Sequence, residues 1–293
     1  MEGCTLCPRK CYARRDAGER GYCGQGDIPR VARYGLHYYE EPPISGERGS
    51  GTVFFCGCSM GCVFCQNRDI SRGQEIGELA DTERLADMMT ELRDMGAHNI
   101  NLVTPTHFAH KIAEALRSLK GSLGIPVVYN SSGYERVETL RMLDGLVDIY
   151  MPDFKYISPD MAEKYSSAPD YARVASEALV EMYRQRGKCV FGEDGMLKSG
   201  VLVRHLVLPG GRKDSIAVLH RIAELVPVED ILVSVMSQYT PEFAMGRGYG
   251  ELERRITSFE YSSVAKEAEA LGLNGFMQGR ASASSVYTPD FNK

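Results

Sequence analysis

From residue 52 onward the chain alternates short apolar runs with stretches whose apolar residues recur every three or four positions. TVFFC (52–56) suits a buried strand. Asp81 or Thr82 can then cap a helix with Leu85, Met88, Met89 and Leu92 on one face and Gly96 at its end. The alternation repeats. Strand INLVT (100–104) precedes a helix carrying Ile112, Leu116 and Leu119, and IPVVYN (125–130) precedes a short one with Val137, Leu140 and Leu143. VDIYM (147–151) leads into a single helical region over 159–187, with Val174, Ala178 and Met182 in register. KCVFGEDGMLKSG reads as a hairpin or loop because EDG is turn chemistry. VLVRHLVL (201–208) is followed by a helix from about residue 214 with Ile216, Leu219 and Ile222, and ILVSVM (231–236) is the last strand. TSFE (257–260) opens the final helix with a capping box.

Six strand–helix units in alternation predict a parallel sheet with right-handed crossovers. Units of this number and length predict a partial (βα)6 barrel, with ligands at the carboxyl ends of the strands. Residues 1–50 lack periodicity and form an irregular, Cys-rich N-terminal extension; residues 51–293 form the barrel with a C-terminal helix and tail.

Composition narrows the function classes. A net charge of −5 offers no basic footprint for nucleic acid. No apolar run approaches the roughly 20 residues of a membrane helix, and MEGCTLCPRK lacks the apolar stretch of a secretory signal. The expectation is a cytoplasmic protein with no membrane or nucleic-acid partner.

Cysteine changes the picture most. Eight of the nine cysteines precede residue 66, and in a reducing compartment such clustering reads as metal or cluster ligation. Cys58, Cys62 and Cys65 are spaced C-x3-C-x2-C directly after the first strand. Three thiolates suit an iron–sulfur cluster; zinc would need Cys56 as a fourth ligand. Since Cys56 belongs to the strand, the spacing favours a four-iron cluster with one iron open. Cys4, Cys7, Cys11 and Cys23 form a separate set of four, closed for either a second iron–sulfur cluster or zinc.

The loop FFCGCSMGCVFCQNRDIS resembles the signature of radical S-adenosylmethionine (SAM) enzymes. It is most similar to the pyruvate formate-lyase activating-enzyme-like group. CPRK, EEPPISGERGSGT, GAHNINLVTPTH, YNSSGYE, DIYMPDFKY and MSQYTP extend the likeness over nearly the whole chain. The resemblance implies a [4Fe-4S] cluster on Cys58, Cys62 and Cys65 that cleaves SAM reductively to a 5′-deoxyadenosyl radical. It also implies an electron donor such as flavodoxin or ferredoxin.

By the same resemblance, Phe64 lies near the adenine and Asn67 bonds the cluster loop. Where many such enzymes carry Gly-Gly-Glu this chain has LVTPTH, so Thr104 and Thr106 stand at the SAM amine; neighbouring His107 reads as capping or packing. Asn130 and Ser132 of YNSSG face SAM, with Asn130 in place of a usual aspartate that helps hold a monovalent cation. Asp153 and Lys155 of MPDFK approach the SAM carboxylate, and Arg204 reaches SAM. Gln238, with Tyr239, lines the adenine or ribose side. The hydrogen donor is a glycyl radical enzyme if the protein is an activase; the alternatives are a small molecule or peptide side chain, and a non-catalytic iron–sulfur or zinc scaffold.

Overall fold

The six expected strands pair side by side in chain order, because each helical crossover returns to the neighbouring position. The computed structural model describes residues 3–72, 75–277 and 291. Its strands are β1 (Arg30–His37), β2 (Ser50–Phe55), β3 (Glu78–Leu79), β4 (Ile100–Val103), β5 (Val127–Ser131), β6 (Ile149–Pro152), β7 (Val190–Phe191), β8 (Leu197–Leu206), β9 (Leu232–Met236) and β10 (Gly275–Met277). The sheet order is β10-β9-β8-β6-β5-β4-β2-β1-β3, with β7 folded back on β8 as a hairpin. From β2 to β10 along that path every pairing is parallel. The sheet stays open, as expected of a partial barrel.

The helices are α1 (Pro42–Ser45), α2 (Arg68–Ser71), α3 (Thr82–Asp94), α4 (Ala109–Ser118), α5 (Val137–Met142), α6 (Pro159–Ser166), α7 (Tyr171–Arg186), α8 (Arg212–Leu225) and α9 (Ser258–Ala270). Asp81 caps α3 through the Arg84 N–H, and all four apolar residues expected on its inner face are buried. The capping box of Thr257 and Glu260 opens α9 as expected.

Two expectations need correction. Residues 159–187 are two helices, α6 and α7, because Pro169 cannot continue the first and Ser167 turns into a left-handed φ of +48°. The N-terminal segment is irregular only to residue 29; Arg30–His37 form β1, antiparallel to β2.

Strand residues alternate between two environments. Val53, Phe55, Leu102, Tyr129, Tyr150, Val201 and Val203 pack with the helices. Val128, Ile149, Met151, Leu202 and Leu232 face the concave interior and close around Ile44 of α1. The EEPPIS stretch between β1 and β2 is thus a plug in the floor of the open barrel. Among the described residues no helix is long and apolar enough to cross a membrane.

Candidate functional site

The loop after β2 bends sharply at Gly57 and Gly61, whose φ values of +83° and +69° favour glycine. A Cβ on Gly61 would collide with the Arg72 guanidinium, which donates to the Gly61 carbonyl. The bends turn Cys62 and Cys65 into a cavity at the carboxyl ends of the strands. Cys58 lies within electrostatic reach of both. Its sulfur accepts from the Met60 N–H at 3.3 Å, and the Cys62 sulfur accepts from the Ser166 hydroxyl at 3.0 Å. Burial, reinforced by Cys62 and Cys58, pushes the Cys65 thiol up to about 12. A cation that displaces the proton is therefore needed to make it a thiolate at neutral pH.

Cys56 goes elsewhere. Its sulfur donates to the Ile76 carbonyl at 3.4 Å and packs among Phe54, Ile70, Val103 and Phe291. Among the described residues no three His, Cys, Asp or Glu side chains converge closely enough to hold a single metal ion.

The same cavity is lined by a charged network. Asp153 follows β6 and pairs as a bridge with Arg204 of β8. Arg204 Nε donates to Asp153 Oδ1 at 3.1 Å and Nη2 to Asn130 Oδ1 at 2.6 Å. Lys155 Nζ donates to Asp153 Oδ2 at 2.6 Å. Burial alone would raise Asp153, but Lys155 and Arg204 outweigh it and hold its carboxyl below the usual range. Burial alone would also lower Lys155, and Asp153 with Cys62 keeps it above the usual lysine value. Both cations are charged at neutral pH.

Sequence reasoning missed Glu40. It lines the cavity from the plug, lies 3.3 Å from Arg204 Nη1, and accepts from Asn101 Nδ2 at 3.0 Å. The signal was a charge count. Two buried cations, Lys155 and Arg204, face one expected anion, Asp153, which calls for a second carboxylate; EEPPIS holds the candidates.

Phe64, Asn67, Asn130 and Gln238 also line the cavity. The remaining expected residues do not. Thr106 is buried and donates to Glu135 Oε1 at 2.5 Å. The Ser132 hydroxyl accepts from the Tyr134 N–H at 3.4 Å, and the Tyr239 hydroxyl donates to the Leu252 carbonyl at 2.6 Å in the core. Thr104 sits at the end of β4 with φ +59°, a strained value for a β-branched residue, its N–H bonded to the Asn130 carbonyl at 2.9 Å. His107 packs: its Nε2 lies 2.7 Å from the Cys56 carbonyl, and burial pushes it down to about 3.

The family model of the radical SAM superfamily matches residues 52–210, the span that carries the loop and the charged network. The chain belongs to the radical SAM superfamily. Membership implies a [4Fe-4S] cluster and SAM, and the cavity fits both, since it brings together thiols for a cluster and cations for a carboxylate. An uncharacterized protein of Methanocaldococcus jannaschii is 29% identical over 284 residues, covering 94% of this chain and 76% of the relative. SuiB of Streptococcus suis, in its structure with the precursor peptide SuiA, aligns with a TM-score of 0.50 at 12% identity, over 76% of this chain and 46% of SuiB. A domain of the pyruvate-formate lyase-activating enzyme from Bacteroides vulgatus aligns at 0.37 with 10% identity, over 68% of this chain and 91% of that domain. This radical SAM chain spans less than half the length of SuiB, and the likeness shows the fold alone.

Proposed function

We propose that the chain is an enzyme that binds SAM between a cluster held by Cys58, Cys62 and Cys65 and the Asp153–Lys155–Arg204 network. What supports this most is that Cys62, Cys65, Lys155 and Arg204 line one cavity at the strand ends. With cluster and SAM bound, the superfamily's chemistry is reductive cleavage to methionine and a 5′-deoxyadenosyl radical that removes a hydrogen atom from a C–H bond. The protein's part is binding and orientation.

Lys155 and Arg204 receive the SAM carboxylate, with Asp153 and Glu40 fixing their directions. Phe64 supplies an apolar wall for the adenine, and Asn67 and Gln238 offer polar contacts beside it. Arg204 takes the place of a monovalent cation, since Nη2 lies 2.6 Å from Asn130 Oδ1 and 3.0 Å from Asp153 Oδ1. A one-electron carrier such as flavodoxin or ferredoxin supplies the reducing equivalent.

The plug favours a small molecule or a single peptide side chain as hydrogen donor. Glu40 lines the cavity and Ile44 of α1 fills the apolar floor, which leaves less room there for a polypeptide loop. The second reading is an activase that takes hydrogen from a glycyl radical enzyme, in keeping with the motif likeness of the signature loop.

Anaerobically purified, reduced protein should form 5′-deoxyadenosine and methionine from SAM. Alanine at Cys58, Cys62 or Cys65 should abolish this, whereas Cys56→Ser should keep it near the wild-type rate. Retained turnover in any of the three alanine variants overturns the ligand assignment. A glycyl radical signal on mixing with a glycyl radical enzyme would favour the activase.

A further inference from the structure

Cys4, Cys7, Cys11 and Cys23 take no part in the site above, yet the local backbone gathers them. The Cys4 N–H donates to the Ala13 carbonyl at 2.9 Å and the Tyr12 N–H to the Cys4 carbonyl at 3.0 Å, so the ends of 4–13 run side by side. Between them the Lys10 N–H closes a turn on the Cys7 carbonyl at 3.1 Å. A second turn, from the Gly24 N–H to the Gly21 carbonyl at 2.9 Å, presents Cys23. A Cβ on Gly21 would collide with the Cys11 sulfur, so the missing side chain admits Cys11 beside Cys23. Cys7 is within electrostatic reach of Cys4 and Cys23, and Cys23 of Cys4 and Cys11.

This segment cannot order itself by core burial. Over 3–28 the buried apolar side chains are Cys7, Ala13 and Cys23, so two of the three are thiols. Fixing each residue's backbone costs on the order of 1–2 kcal/mol, which so small a core cannot offset. Ligation has to supply the difference. Zinc draws its thiolates to about 2.3 Å from the ion. A four-cysteine zinc site is commonly built from two C-x2-C knuckles, and this set has one, Cys4 and Cys7, with Cys11 and Cys23 standing singly.

We propose that Cys4, Cys7, Cys11 and Cys23 hold a second [4Fe-4S] cluster, closed by four protein thiolates, which clamps the N-terminal segment against the back of the Cys58–Cys65 loop. The contacts for the clamp are present. Arg9 Nε donates to the Ser59 carbonyl at 2.8 Å and Nη2 to the Ser166 carbonyl at 3.0 Å, tying the loop to the end of α6. The Tyr22 hydroxyl donates to the Met60 carbonyl at 3.0 Å, and the Arg9 guanidinium lies 4.0 Å over the Tyr22 ring. A Cβ on Gly57 would meet the Cys23 carbonyl at 2.6 Å, so the two cysteine sets stand back to back through Gly57 and Cys58. With four thiolates the second cluster has no open iron, and its role is to hold the loop.

Metal content and electron paramagnetic resonance test this without reference to turnover. Anaerobically reconstituted wild type should carry about eight irons per chain and no stoichiometric zinc. The Cys58→Ala/Cys62→Ala/Cys65→Ala variant should keep about four irons and, when reduced, a signal that SAM does not alter. Cys7→Ser/Cys23→Ser should lose about four irons and retain a SAM-sensitive signal. Wild type with about four irons and one zinc, or a folded triple variant without iron, overturns the proposal. If the triple variant does not fold, the wild-type iron-to-zinc ratio decides the question.

Discussion

Lys155 keeps its charge although burial alone works against it. Asp153 outweighs that tendency at a 2.6 Å contact, and the Asp153 carboxylate is in turn shared with Arg204. A buried ion pair gains little net stability once desolvation is subtracted, and breaking one leaves an expensive orphan charge. The natural use of such an arrangement is to hold cations ready for an anionic ligand. Lys155→Met should therefore weaken SAM binding by about 10- to 150-fold, the worth of one charge-assisted hydrogen bond of about 1.5–3 kcal/mol. Iron content should stay unchanged. Equilibrium dialysis of SAM against the reconstituted variant checks this, and an affinity equal to wild type would remove Lys155 from the site.

Among the elements, what was legible in the sequence and what was not divide along a physical line. The inner face of α3 was readable because Leu85, Met88, Met89 and Leu92 repeat at helical spacing within one helix. The Cys loop was readable because ligand spacing is local. The α6–α7 break was missed although Pro169 marks it, because the apolar period runs on in the second helix. Glu40 was missed because its partner Arg204 is 164 residues away, and no local pattern encodes that contact. Thr106 was misplaced for a similar reason: its hydroxyl is taken by Glu135, just ahead of α5. Glu135 is buried and accepts from Thr106 and, at 3.3 Å, from the Tyr129 hydroxyl. Burial, against the hydrogen bonds from Thr106, Ser131 and Tyr129, lifts its carboxyl from the usual 4.5 to about 7. The folded state then binds more protons than the unfolded state between about pH 4.5 and 7, so stability falls as pH rises through that window. Glu135→Gln reproduces the protonated shape and removes the titration. Its stability advantage over wild type should be absent near pH 4, grow to at most about 3 kcal/mol by pH 7 to 8, and then stay flat. Urea unfolding at a series of pH values measures it; an advantage that shrinks with rising pH would contradict the assignment.

For the molecule as a whole, the open sheet leaves a concave floor that a closed barrel would fill from its own strands. Here the connection from β1 to β2 fills it, and the same short segment serves both core and site. Ile44 is fully buried against Val128, Ile149, Met151, Leu202 and Leu232, and four residues earlier Glu40 meets Arg204. Packing below the site and electrostatics within it are therefore carried by one piece of chain. Ile44→Ala should cost about 2–5 kcal/mol of stability, as for other fully buried aliphatic truncations. Leu219→Ala on the helix side of the sheet, equally buried in α8, should cost a similar amount. The two should part company in SAM affinity. Loosening the plug lets Glu40 shift from Arg204, so Ile44→Ala should weaken SAM binding, while Leu219→Ala should leave it unchanged under conditions where both variants remain folded. Chemical denaturation gives the first quantity and equilibrium dialysis the second. Equal SAM affinities in the two variants would mean that the plug fills space without positioning the site.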